Sequence, residues 1–231
     1  MSTKRTRTPD IGLPVLPNKD WADVKRMLCV DESLNNSGAA LFVDGKYVPN
    51  TSGDDDIGFA LTLPRSMSQL SKIVAYDRWI RGLIAEHKPD VVVLESHPFI
   101  RGNMKTSIAT LEVLIGVRYV AMVACGTMST TYAEFSTNHV KMIMCGSSSA
   151  SKEMIQLVLS GCGYTLPVYA HGKKTINDNV CDAIAMGEVL ARMAKQELLI
   201  REHIQSVGPG RTQTRTRNHL TKAGQHEVPA K

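Results

Sequence analysis

Met27 to Val30 form an unbroken apolar run that stops at Asp31. A polar turn with Asn35, Asn36 and Gly38 follows, and Ala39 to Val43 resume the apolar run before Asp44-Gly45. Apolar runs closed by turn signals predict buried strands, and Asp-Gly between such runs predicts a hairpin. Ile57 to Leu63 predict a third strand. From Met67 to about His87 the apolar positions Leu70, Ile73, Val74, Trp79, Leu83 and Ile84 recur at helical spacing, with Ser66 and Gln69 as a capping box and Pro89-Asp90 as the stop. Val91 to Leu94 are a β-branched run too short for a helix, hence a buried strand, and it ends in Glu95. Ile108 to Cys125 predict a long helix with Leu111, Leu114, Ile115 and Tyr119 on its apolar side. Thr131 to Phe135 predict a strand. Thr137 caps a short helix ending at Gly146, and Ala150 to Leu159 predict another. Asp178, as N-cap, opens a last helix from Val180 to about His203, whose apolar side carries Ala183, Ile184, Met186, Gly187, Leu190 and Ala191. Strands alternating with helices in this way predict an α/β fold.

The chain has 231 residues, of which 43 % are hydrophobic, enough for one large domain with tails. Three basic residues in the first seven and three prolines mark residues 1–25 as a flexible basic arm; residues 26–205 form the domain and 206–231 a disordered basic tail. The formal net charge of +5 fits a polyanionic partner. Nothing approaches the ~20 consecutive apolar residues of a membrane span. Five scattered cysteines without a Cys-x-x-Cys pair favour reduced thiols in a cytoplasmic protein over a disulfide frame or a zinc site. Glycine-rich phosphate loops are absent, which argues against a dinucleotide enzyme or a classical nucleotide hydrolase. Asp54, Asp55 and Asp56 are neighbours that diverge in a loop, and read as a solvated turn.

Three other carboxylates stand beside apolar sequence: Asp31 ending one core strand, Glu95 ending another, and Asp182 inside the last helix, four residues after Asp178 and on its face. Taken alone, Asp31 is paired, metal-bound or a turn cap. If the two strands run parallel, their carboxyl ends meet at the edge where open α/β sheets place their sites. Gathered there, the acids repel one another unless a divalent cation lies among them. Magnesium suits few oxygen ligands, and two such ions can hydrolyse a phosphodiester. Lys152, in the first turn of its helix, opposes the helix dipole and so answers to something besides the helix.

These residues carry a resemblance. Val30-Asp31-Glu32-Ser33-Leu34-Asn35-Asn36-Ser37-Gly38, then Leu94-Glu95 with Phe99 and Asn103, then Val140-Lys141, Gly146 and Ala150-Ser151-Lys152, and finally Asp178-Asn179-Val180-Cys181-Asp182-Ala183-Ile184-Ala185 are similar, in that order, to the motifs of the RuvC family of Holliday junction resolvases, phage-type members in particular. The resemblance covers about Met27 to Leu190. It implies a ribonuclease H-like fold with a mixed five-stranded sheet flanked by helices. It also implies a homodimer that binds a four-way DNA junction and makes paired symmetric nicks with Mg²⁺ or Mn²⁺, two ions per active site. Asp31, Glu95 and Asp182 would be the metal ligands. Family members carry a fourth acid three residues before the last, where this chain has Asn179; Asp178, one residue off, would substitute. Lys141 and Lys152 match lysines near the scissile phosphate, where a cation stabilises developing charge. Phe99 either packs in the core or is the aromatic side chain inserted at the crossover. Arg101, Asn103, Lys105 and Arg118 would contact DNA. A relaxed flap or branched-DNA nuclease on the same fold, and a branched-DNA-binding module that does not cut, stand as alternatives.

Overall fold

A computed structural model describes residues 13–17, 19–33, 35–50, 59–96, 108–167 and 176–207. A 3-10 turn, Trp21–Asp23, leads into strands β1 (Arg26–Asp31), β2 (Asn36–Val43), β3 (Lys46–Val48) and β4 (Phe59–Thr62). Helix α1 (Gln69–His87), strand β5 (Val91–Glu95), helix α2 (Ile108–Thr127) and strand β6 (Thr131–Phe135) follow. Helices α3 (Thr137–Cys145), α4 (Lys152–Gly161) and α5 (Asp178–Val207) complete the order. Strand β1 is central. It pairs antiparallel with β2 and parallel with β5, and β5 runs parallel to β6. Six strands fill five places across the sheet, because β3 and β4 share one edge of β2: β4 pairs with Asn36 to Ala39 and β3 with Leu41 to Val43. The five strands expected from the sequence thus gain a short sixth, the second arm of the Asp44-Gly45 hairpin, where both turn residues take positive φ.

Alternation along the strands splits the core into two layers. Met27, Cys29, Phe42, Val91 and Val93 face one side and pack on Ile184, Met186 and Leu190 of α5. Leu28, Val30, Val92 and Leu94 face the other and pack on Tyr76, Ile80, Val117 and Ala121 of α1 and α2. Each such fully buried side chain contributes roughly 1.5–3 kcal/mol. Helix α5 lies very close to β2: a Cβ at Gly187 would stand 2.1 Å from the Phe42 ring. By the same alternation Asp31 and Glu95 belong to the α5 side, and Glu32 to the α1–α2 side.

Several local expectations are corrected. On α1 the buried residues are Lys72, Tyr76, Ile80, Leu83 and Ile84, while Leu70 and Val74 face outward. On α2 the buried stripe is Val113, Val117, Ala121, Ala124 and Cys125; Ile115 and Tyr119, read as its apolar side, are exposed. Both helices carry apolar residues on more than one face, so periodicity alone cannot choose the inner one. The α1 cap is Ser68, whose hydroxyl accepts from the Ser71 N–H, not Ser66. The α5 cap is Asn177, which accepts from the Val180 N–H, so Asp178 is released from that duty. Part of the expected arm is packed: Leu16 and Trp21 are buried, the Trp21 indole donates to the Pro14 carbonyl, and Lys19 pairs with Asp90. Asp20 pairs with Arg201 near the far end of α5. Among the described residues no helix is long and apolar enough to cross a membrane.

Candidate active site

The carboxyl edge of the sheet is built by three elements. Val30 pairs with Leu94 in the parallel β1–β5 ladder, so Asp31 and Glu95 follow side by side at the same end. Helix α5 crosses over them because Gly38 lets its first turn rest on β2: a Cβ at Gly38 would stand 2.4 Å from the Val180 nitrogen. Asp178 and Asp182 come with that turn.

The expected triad is thereby brought into one electrostatic neighbourhood. Asp31 is 7 % exposed, and its carboxyl lies within hydrogen-bonding reach of Glu95. Burial, the contact with Glu95, and the charges of Glu95 and Asp182 hold Asp31 well above the usual carboxylate range. Burial pushes Asp182 up to about 6, against the pull of Lys152 and with Glu95 and Asp178 adding repulsion. Lys152 is the counter-charge. Its Nζ stands 3.5 Å from Asp178 and 3.7 Å from Asp182. Burial acts to lower the ammonium group, but the attraction of Asp182, Asp178 and Asp31 outweighs it and raises its pKa. This accounts for a lysine at the N-terminus of α4, where the dipole alone would reject it. Ser151 caps that helix by accepting from the Met154 N–H. One turn on, the Gln156 amide donates to Asp178 at 2.9 Å. Lys141 on α3 also exerts its field on Asp182.

Asn179, at the fourth acidic position of the resemblance, is turned away: its amide donates to the Asn36 carbonyl of β2. Asp178 remains beside Lys152. Arg118, expected to contact DNA, is paired with Glu134 on β6. Phe99, Arg101, Asn103 and Lys105 lie outside the described residues.

Three participants escaped the sequence reading. The Thr137 hydroxyl donates to Glu95 Oε1, rather than capping its own helix. Lys72, buried on α1, reaches Asn35 Oδ1 at 2.8 Å and the Arg65 carbonyl, tying down the turn after Asp31. Glu32, 3 % exposed, lies beside the buried Tyr76 hydroxyl, close enough for the two to interact but without a well-formed hydrogen bond on either Glu32 oxygen. Burial pushes Glu32 up to about 8, against the pull of Arg118. Gln156 had a readable signal, four residues from Lys152 on one helix; Glu32 and Thr137 had none, since only the third dimension shows what they face.

Among the described residues no group of three or more His, Cys, Asp or Glu side chains is drawn up as a ready metal shell. The donor chemistry nevertheless fits a hard divalent cation. All the donors are carboxylate oxygens, and Asp31 and Glu95 can bond to each other only if one of them holds a proton, the place a cation would take. A cavity of about 410 Å³ lies at the opposite end of the sheet, between Trp21, Phe42 and Leu190, and includes none of these acids.

No family model matches the chain. It is 23 % identical over 162 residues to the crossover junction endodeoxyribonuclease RuvC of Akkermansia muciniphila, covering 70 % of this chain and 87 % of that protein. The fold superposes on Thermus thermophilus RuvC with a TM-score of 0.52 at 14 % identity, covering 75 % of this chain and 96 % of the other. For T. thermophilus RuvC in complex with Holliday junction substrate the TM-score is 0.54, with the same identity and coverage. For the yeast mitochondrial Holliday junction resolvase Ydc2 it is 0.53 at 11 % identity, covering 79 % of this chain and 84 % of the other.

Proposed function

We propose that this chain, RuvC-like in sequence and in fold, is a Holliday junction resolvase: a crossover junction endodeoxyribonuclease that nicks paired strands of a four-way DNA junction. The observation that carries this reading is the meeting of Asp31, Glu95 and Asp182 at one sheet edge, with Lys152 against them. Asp31, Glu95 and Asp182, with Asp178 at the flank, would hold two Mg²⁺ or Mn²⁺ ions, which when bound activate a water and steady the leaving oxygen. Lys152 is the cation the chain itself offers to the negative charge that develops on the phosphate, and Lys141 adds its field at Asp182. The basic balance of the chain draws in the polyanion.

An asparagine at the fourth acidic position, Asn179, is what would favour a module that binds without cutting. Its bond to the Asn36 carbonyl gives it a structural task, and Asp178 is available in its stead. Paired cuts need two copies of the chain. Ile115, Tyr119 and Val123, 41 %, 61 % and 55 % exposed along one face of α2, support a homodimer through that helix.

The test is a labelled synthetic four-way junction incubated with the protein, with and without Mg²⁺. Symmetric nicks that require the metal are expected, and are expected to vanish in Asp31→Asn and Glu95→Gln while junction binding survives. Equal cutting of linear duplex, or a variant that still cuts, would overturn the assignment.

A further inference from the structure

We infer that Thr137 is a positioning residue for Glu95, and that α3 is a second wall of the metal site rather than a connector. The inference rests on the nuclease reading above and deepens it. Strand β6 ends where Phe135 pairs with Glu95, and the Ser96 N–H donates to the Phe135 carbonyl at 2.9 Å. Two residues later the chain has turned, and the Thr137 hydroxyl comes back over the end of β5 to donate to Glu95 Oε1. A hydroxyl at the first turn of a helix ordinarily serves that helix. Here Ser136, at the cap position, makes no side-chain cap bond, and the Thr137 hydroxyl is spent across the gap instead. Lys141 lies four residues on, hence on the same face of α3, and its charge reaches Asp182. One helix face therefore addresses two of the three acids: a donor fixes Glu95 and a cation tempers Asp182.

A carboxylate with one oxygen held by a donor keeps its orientation without spending a cation's charge, and the outer partners of metal-binding carboxylates act on affinity in this way. Removing the donor frees the Glu95 carboxyl to rotate toward Asp31, with which it is already in reach. Thr137 neither touches the phosphodiester nor supplies a proton to it; it acts through Glu95.

The experiment compares wild type, Thr137→Val, which keeps the shape and loses the hydroxyl, and Thr137→Ser, which keeps the hydroxyl. Mn²⁺ affinity of the full-length chain is measured by electron paramagnetic resonance without DNA, beside metal-dependent junction cleavage and melting in EDTA. The expected result is Mn²⁺ binding weakened about tenfold in Thr137→Val, as one charge-assisted hydrogen bond is lost. Thr137→Ser should be near wild type and melting in EDTA nearly unchanged. Thr137→Val binding Mn²⁺ as wild type does, Thr137→Ser as weak as Thr137→Val, a wild type that takes up no Mn²⁺, or a Thr137→Val chain that melts far lower in EDTA would each overturn the inference. A wild type that binds Mn²⁺ but leaves junctions intact would sink the resolvase reading alone, and the affinity ratio would still decide the role of Thr137.

Discussion

A Cβ on Gly38 would stand 2.3 Å from the carbonyl carbon of Asn179, so the backbones of β2 and α5 touch where only a glycine fits. This contact sets the height of Asp178 and Asp182 above the sheet. Gly38→Ala must push α5 outward, and overpacking of this kind costs about 1–3 kcal/mol. We expect a lower melting temperature together with a loss of cleavage larger than the stability change explains, measured by thermal unfolding and single-turnover cutting. A variant with wild-type kinetics would show that the height of α5 is irrelevant.

Asn179 and Asp178 divide what the resemblance assigns to one acid. Asn179→Asp would set a carboxylate against the Asn36 carbonyl and lose a donor, so it should destabilise the fold by about 1–3 kcal/mol without improving Mg²⁺ dependence. Asp178→Asn should raise the Mg²⁺ concentration needed for half-maximal cutting and leave the melting temperature nearly unchanged. Metal titrations of both variants check this. An Asn179→Asp chain with tighter metal dependence would reverse the assignment.

Lys152 opposes the repulsion among Asp178, Asp182 and Asp31. Lys152→Met should cut junctions on the order of 10²-fold more slowly, the effect of removing one stabiliser of developing charge. Without Mg²⁺ it should also melt lower, and adding Mg²⁺ should recover the difference. Cutting at the wild-type rate would remove Lys152 from the chemistry.

Glu32 should make stability fall as pH rises. Its folded pKa of about 8 lies above the ordinary 4.5, so below pH 4.5 both states hold the proton and its contribution is complete. Between 4.5 and 8 the unfolded chain has released the proton while the fold retains it, and stability drops by up to about 1.4 kcal/mol per pH unit. Asp31 and Asp182 shift in the same sense, so the difference from Glu32→Gln isolates one group. In EDTA, urea unfolding should place the variant ahead of wild type by on the order of 5 kcal/mol at pH 8 and near it at pH 4.5. Parallel curves would mean that Glu32 finds a partner.

The exposed face of α2 gives a last expectation. Tyr119→Asp should convert a dimer to monomers in light scattering and abolish paired nicking, while each monomer keeps its fold. A wild type that is monomeric at working concentrations would set this face aside.

The acids at the sheet edge were readable because strands that end in a charge leave it nowhere apolar to go. Asp31 and Glu95 could be placed side by side from two short apolar runs, and Lys152 was conspicuous against its own helix dipole. The inward faces of α1 and α2 were not readable. Ile115 and Val117 are equally apolar, and only the packing of α1 against α2 decides which is covered. The handover of the α5 cap from Asp178 to Asn177 was hidden for a related reason, since both residue types cap well.

Asp31 and Glu32 stand back to back across the sheet, one acid toward α5 and its neighbour toward Tyr76. Under the nuclease reading proposed above, which acid serves the site is therefore a matter of parity. Sliding β1 by a single residue along β5 would swap the two, presenting the longer acid to the α5 side and driving the shorter one into an apolar wall. Val30 against Leu94 is thus more than packing: that rung decides which carboxylate comes to lie on the α5 side of the sheet edge.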